Sequence, residues 1–417
     1  MENDHPPTSQ VPAAATGEPD AASVLLRKLE ALSDPRSRAL HPLPDVLFTA
    51  LFALVCDCDA YTEMALFAEE QLDWLRRYVP LPNGAPSHDT FRYVFGLLQP
   101  AALLEITAAW AGQLAGSHVI IDGKVSRGAK DTATGRSTLH LLRAWVSSIG
   151  LSAGQRACAD KSNELATLPA LLASLRLKDT VVSIDAMAGH PEIAQQIHTE
   201  GGDWLLALKA NEKTTFETVS ARFRALSGQD TALPEGTAPA ATLHPPHIAP
   251  IAWPTALSRT FSGENNRGRY ESREVITIPT SEHWWPKAWL WYGIQSATCV
   301  IRRSLRQRAG SDTPAFEVHY YLSSLPADAK QLGDTIRQHW CIENSCHHVL
   351  DVTWREDYCQ VRERTAAHNL SIMRELAMKL LRDHPAKTSL KAKRKRASLS
   401  PAFRSEIADP IFQRFHA

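Results

Sequence analysis

Apolar positions recur at three- and four-residue spacing through residues 23–113, in "ASVLLRKLEALSD", "LPDVLFTALFALVCDCDAYTEMALFAEEQLDWLRRYV" and "SHDTFRYVFGLLQPAALLEITAAWAGQL". That spacing predicts a helical region. Ser87 is placed to cap a helix carrying Phe91, Val94 and Phe95 on one face. From residue 118 the pattern changes. "HVIIDG" is a short β-branched run closed by Asp122, and "LHLLRAWVSSIGLSAGQRACA" reads as two strands joined by a turn near Gly150 to Gly154. "ELATLPALLASLRL" reads as a helix, and "TVVSIDAMAGH" as a second buried strand closed by Asp185. "PEIAQQIHTEGG" is a further helix leading into the strand "DWLLALKAN". Strands alternating with helices predict an α/β sheet with some parallel pairing.

From about 211 to 325 the alternation is expected to stop. The Pro- and Ala-rich "DTALPEGTAPAATLHPPHIAP" reads as a loop, and "YESREVITIP", "AWLWYGIQSATCVIRRSLR" and "FEVHYYLSSL" read as strands. Helix resumes at 327 and runs, with breaks, to about 382. The expected organisation is a disordered tail (1–22), an all-helical N-terminal domain (23–113), the first part of an α/β core (114–210), a β-rich insertion (211–325), the second part of the core (326–384) and a basic C-terminal tail (385–417). That tail contains "KAKRKR" at 391–396 and is expected to be solvated and flexible. No internal repeat is evident.

Composition narrows the class without naming a chemistry. The chain has 417 residues, 44% hydrophobic and 22% charged, with a formal net charge of zero. That balance argues against a uniformly basic nucleic-acid binder but leaves local patches open. The longest apolar run, "VLFTALFALVC" at 46–56, is too short to span a bilayer, and no membrane association is expected. "MENDHPPTSQVPAAATGEPD" lacks the basic start and apolar core of a signal peptide. Seven cysteines without framework spacing fit a reducing cytoplasm.

Three acids stand out. Asp122 and Asp185 each close a β-branched run, and ligands in open α/β sheets gather at the carboxyl ends of strands. The third lies in "IRQHWCIENSCHHVLD". Placed on a regular helix, Ile336, His339, Trp340, Glu343, His347, Leu350 and Trp354 share one bulky face, which sets Glu343 in an expected core. A carboxylate there needs a partner, a proton or a metal. Spacing alone leaves two readings open: turn-forming aspartates with a Glu343 paired to Arg337, His339 or His347, or three carboxylates around divalent ions. All-oxygen sites suit Mg²⁺ or Mn²⁺, and two such ions assist phosphodiester displacement. Cys341, Cys346, His347 and His348 lack the convergent spacing of a zinc site.

Several ordered blocks carry a resemblance. "LSDPRSRALHPLPDVLFTALFALVCD", "PSHDTFRYVFGLL", "IDGKVSRGAK", "DKSNEL", "VVSIDAMAGHPEIAQQI", "GGDWLLALKANE", "GRYESREV", "YYLSSL" and "IRQHWCIENSCHHVLDVTWREDYCQVR" resemble the ISAs-type insertion-sequence transposases, the H-repeat-associated group of the DDE superfamily. The resemblance spans nearly all of residues 25–385. It implies an α/β fold with an RNase H-like catalytic core interrupted by a β-rich insertion and preceded by an all-helical, transposase-associated domain. It implies Asp122, Asp185 and Glu343 as catalytic metal ligands for two Mg²⁺ or Mn²⁺ ions, cleavage at transposon ends and joining of the freed 3′-hydroxyl to target DNA. It further implies a bacterial cytoplasmic protein, nucleoid-associated on DNA, acting as a homodimer or higher multimer. Lys124, Arg127, Lys209, Arg267, Arg269, Arg273, Arg302 and Arg303 are candidate DNA contacts, and Asn344 and His339 candidates to orient Glu343. The chain departs from relatives at Ala188-Gly189-His190, and His339 and Leu350 stand where a Tyr-Arg-Glu-Lys signature requires Arg and Lys. The alternatives in other classes are a catalytically silent DNA-binding regulator and a host metal nuclease of the same fold.

Overall fold

The computed structural model describes residues 21–112, 114–126, 138–158, 163–185, 189–227, 238–239, 253–266, 269–281, 283–306 and 315–412. Of the expected tail at 1–22, residues 1–20 lie outside them, as does most of the Pro- and Ala-rich loop; Ala21 and Ala22 begin a helix. Six helices come first: α1 (Ala21–Glu30), α2 (Leu43–Val55), α3 (Tyr61–Glu70), α4 (Leu72–Leu75), α5 (His88–Leu97) and α6 (Pro100–Ala111). Ser87 caps α5 by accepting the Thr90 amide at 3.3 Å, and Phe91, Val94 and Phe95 are fully buried.

One mixed sheet organises the rest. Its strands are β1 (His118–Ser126), β2 (Leu139–Val146), β3 (Leu151–Cys158), β4 (Val181–Ile184), β5 (Asp203–Leu208), β6 (Ala238–Pro239), β7 (Ser258–Asn266), β8 (Arg269–Pro279), β9 (Ser296–Arg306) and β10 (Ala315–Ser323). They lie in the order β3-β2-β1-β4-β5-β10-β9-β8-β7, with β6 on β10. β1 pairs with β4, and β4 with β5, in parallel; β2, β3 and the strands from β10 outward pair antiparallel. The β2–β3 turn ends on Gly150 at φ 72°, a conformation that favours glycine.

One expectation fails on the interval 211–325. A helix intervenes after β5, because Val219 and Phe223 bury against the sheet: the helices of this half are α7 (Glu164–Leu172), α8 (Pro191–Thr199) and α9 (Lys213–Ser227). The later strands join the same sheet. β10 hydrogen-bonds β5 from Tyr320↔Leu208 to Ser323↔Leu205, so β7–β10 widen the same sheet.

The sheet has two covered faces. Val119, Ile121, Val182, Ile184, Leu206 and Leu208 pack on α7, α8 and α9. Ile120 and Trp145 face the opposite way, onto the N-terminal helices and α12 (Arg364–Asp383). On that second face α10 (Ala329–His339) lies across the neighbouring strands through Leu332 and Ile336. α11 (His348–Thr353) follows it. No single described helix is long and apolar enough to cross a membrane.

The expected basic tail is helical over most of its described part, which corrects the expectation of a flexible segment there; residues 413–417 lie outside the described residues. α13 (Leu390–Leu399) contains all of "KAKRKR", and α14 (Pro401–Phe412) packs beside α1. Arg394 is buried: its guanidinium donates to the Leu54 carbonyl at 2.8 and 3.0 Å, to Asp59 at 2.6 Å and to the Thr353 carbonyl, and lies over Trp354. Lys393 donates to the carbonyls of Leu381 and His384. Composition alone reads such a run as solvated; the carbonyls at helix ends nearby supply what the charges need. Arg394→Ala should therefore cost about 3 kcal/mol of stability, while Lys395→Ala on the exposed side changes it by less than about 0.5 kcal/mol. Denaturant midpoints of the two variants check this.

Candidate active site

Asp122 does not end its strand, as its local sequence suggests. β2 pairs along β1 as far as Ser126↔Leu139, so β1 continues, whereas β4 pairs only to Ile121↔Ile184. The residues next after that last parallel pair are Asp122 and Asp185. A crevice opens where the parallel neighbour stops, which is where α/β sheets collect ligands. Strand alternation puts Asp122 on the face of Ile120, beneath α10 and α11.

Glu343 reaches this point through a break in its helix. α10 ends at His339, and a π-helical turn, Glu343–His347, precedes α11. The regular face predicted from sequence is disrupted. Ile336, His339, His347, Leu350 and Trp354 stay buried, while Trp340 is 44% exposed and the Glu343 side chain 60% exposed. Glu343 is thus no core carboxylate. Its Oε2 lies 3.5 Å from His347 Nδ1, which lies 3.6 Å from Asp122 Oδ2. One donor atom from each of the three residues falls within 4.8 Å of the others.

Burial pushes the Asp122 carboxyl up to about 6. His347 and the Gly123 amide, donating at 2.8 Å, pull it down, and Glu343 and Asp185 push it further up. Glu343 is held below the usual carboxylate value, chiefly by its hydrogen bond with His347 against the opposing effect of burial. Asp185 faces the Lys209 ammonium at 3.3 and 3.4 Å, from the end of the adjacent β5.

The other sequence candidates separate. Lys124 is 8% exposed and sits among Asp351 at 2.5 Å, Asp357 at 3.6 Å and Glu356 at 3.9 Å, so it is an interior counter-ion and no phosphate contact. Arg303 is likewise buried against Glu274 at 3.2 Å. Period-two alternation turned both inward, which basic character alone does not show. His339 bonds Ser183 Oγ at 2.8 Å, which in turn lies 2.7 Å from His118; it does not orient Glu343 by hydrogen bond. Burial takes its pKa down to about 4. Asn344 instead lines a groove of about 200 Å³ with Arg273, Arg302, Arg337 and Trp340. Arg302 pairs there with Glu271 and Glu317, and Arg337 with Glu264. Arg127 and Arg267 lie outside the described residues, and only the backbone of Arg269 is described.

Sequence reasoning missed a buried charge layer under Asp122. Arg143, directly opposite Asp122 on β2, donates to Glu375 at 2.9 Å, Ser371 at 2.7 Å and Glu356 at 3.2 Å. The one available signal was an arginine inside the otherwise apolar "LHLLRAWV". Of the partners the sequence offers Glu343, His347 lies within reach at 3.5 Å, four residues on; what no local pattern shows is its equal approach to Asp122, at 3.6 Å.

Two acids just beyond the last parallel pair, with a third brought beside one of them by a helix, make an oxygen-rich crevice of the kind divalent ions occupy when they assist phosphodiester displacement. Comparison with known proteins makes the family definite. Residues 113–380 match the family "Transposase DDE domain" and residues 26–111 the family "DDE_Tnp_1-associated". The chain belongs to the DDE transposase family, and its activity is that of a transposase. It is 29% identical to "Putative transposase YncI" of Escherichia coli O157:H7 over 92% of this chain and 94% of that one. It is 28% identical to "H repeat-associated putative transposase YhhI" of Escherichia coli K12 over 88% and 92%. A solved piggyBac transposase synaptic complex with hairpin DNA aligns over 95% of this chain and 81% of that one, at TM-score 0.38 and 10% identity, too slight a likeness to argue from.

The raised Asp122 carboxyl makes a testable demand. The folded group holds its proton more tightly than an unfolded aspartate, so its ionisation opposes folding, and stability falls as pH rises from about 4 towards 6. In metal-free buffer Asp122→Asn should be more stable than the wild type at pH 8, by on the order of 2 kcal/mol. The gain should vanish near pH 4, as denaturation across that range would show.

Proposed function

We propose that this transposase cuts DNA at the ends of its own element and joins the freed ends to target DNA, with Asp122, Asp185 and Glu343 holding two Mg²⁺ or Mn²⁺ ions. The observation that carries the reading is the placement of Asp122 and Asp185 immediately beyond the register pair Ile121↔Ile184, with Glu343 close to Asp122. The donor set fits divalent ions: burial disfavours the charge of Asp122, the Glu343 carboxylate lies close by, and Asp185 faces the Lys209 ammonium. Bound there, the ions would activate the attacking oxygen and stabilise the leaving one.

The strand order β3-β2-β1-β4-β5 supports an RNase H-like core, with β7–β10 as its lateral extension. In the first step a water oxygen attacks the phosphorus at the transposon end and the 3′-oxygen leaves, taking a proton. In the second, that 3′-hydroxyl attacks a target phosphodiester and displaces the target's 3′-oxygen. Asp122 and Asp185 would hold the ions, and the ions would in turn hold the phosphate beside Lys209. Lys209, 56% exposed, is free to turn from Asp185 to an incoming phosphate oxygen. Arg273 carries no ion pair among the described residues and faces the Arg302 and Arg337 guanidinium groups, so the groove beside Glu343 is a candidate seat for the DNA backbone. Work on two ends implies a homodimer or larger assembly, in the cytoplasm and on the nucleoid. The N-terminal helical region is the candidate for recognising the end sequence.

Asp185→Asn or Glu343→Gln should lower Mg²⁺-dependent cleavage of end-containing DNA by about a thousandfold or more while gel-shift affinity stays within a few-fold. Undiminished cleavage in either variant overturns its assignment. Arg273→Ala should leave cleavage chemistry intact, weaken DNA binding and reduce the slope of log affinity against log salt by about one.

A further inference from the structure

His347 is the group in the crevice that a three-carboxylate reading leaves unused. Its ring is 5% exposed, held by the π-turn that also carries Glu343. Nδ1 is aimed between two acids, at 3.6 Å from Asp122 Oδ2 and 3.5 Å from Glu343 Oε2. Nε2, on the far side of the ring, is buried and has no hydrogen-bond partner among the described residues. Among the described residues, Asp122, Glu343 and His347 are the group of three whose donor atoms already lie close enough to share an ion. Asp185 is outside that group, with its carboxylate turned to Lys209.

We propose that His347 Nδ1 is a direct ligand of the divalent ion held by Asp122 and Glu343, which makes this position prefer Mn²⁺ to Mg²⁺. The inference rests on the metal-site reading above and adds a nitrogen donor to it. Mg²⁺ is a hard ion that takes oxygen ligands and keeps its waters, whereas imidazole binds first-row transition ions well. One nitrogen among the donors therefore discriminates between the two metals. To present its Nδ1 lone pair the ring carries its proton on Nε2, so loading the ion moves the proton away from the carboxylates. The position completed by Asp185 has only oxygen donors and would remain tolerant of Mg²⁺.

The test uses the full chain without DNA, so it does not depend on catalysis. Mn²⁺ bound to the wild type should show, in pulsed electron paramagnetic resonance, the ¹⁴N coupling of a directly bound imidazole. His347→Ala, and His347→Phe, which keeps the ring's volume, should lose that coupling. Both should lower Mn²⁺ affinity by about tenfold or more, with a much smaller change for Mg²⁺ measured by calorimetry. Absence of the nitrogen coupling in the wild type, or an equal loss for both ions in the variants, overturns the ligand assignment. The underlying site is read separately through Asp122→Asn. If that variant keeps wild-type Mn²⁺ binding, the carboxylate site itself is wrong; if it loses binding while the histidine variants do not, only the role of His347 falls.

Discussion

Two cations flank Asp122 on its own strand pair, and other carboxylates claim both of them. Arg143 stands opposite it in register and is drawn inward by Glu375, Glu356 and Ser371. Lys124, two residues along the same face, is drawn to Asp351, Asp357 and Glu356. Burial would raise the Glu356 carboxyl, but Arg143, Arg374 and Lys124 outweigh it and hold it at about 2. A buried charge without partners costs several kcal/mol, so these groups are committed to one another. Neither cation is therefore available to Asp122, whose close neighbours in the crevice are His347 and Glu343.

The same layer joins the catalytic sheet to the helices. Glu375 and Ser371 sit on α12, whose other residues pack against α2, α5 and α6. Asn369 on α12 donates to the Phe95 and Leu98 carbonyls at the end of α5. The helical region and the Asp122 strand thus share one set of buried contacts. The π-turn does the complementary work for Glu343. An extra residue in the turn lets Ile342, Cys346 and Leu350 stay in the core while Glu343 swings out and His347 faces the crevice.

Much of this was legible along the chain, and the exceptions have physical causes. Asp122 and Asp185 stood out because each follows a β-branched run, and the register of β1 with β4 sets them side by side. Glu343 stood out for a different reason than expected: a regular helix would bury it, and the π-turn exposes it. Lys124 and Arg303 are candidate DNA contacts by their basic character; strand alternation and nearby carboxylates turn them inward. Arg394 and Lys393 were read as a solvated tail for the same reason, yet unpaired carbonyls at the ends of other helices receive them.

By itself the sequence determined most helices and strands, the choice of candidate acids and the likeness to one family, because these depend on residues near one another or on ordered blocks. The tertiary structure alone decided which strands adjoin, that β7–β10 widen the central sheet, which cations are spent in the interior and how near His347 comes to the acids. Those outcomes depend on pairings between residues a hundred or more positions apart, on the order of β5 with β10 or Arg143 with Glu375. Such pairings follow from register and burial across the whole fold, and no local pattern carries them.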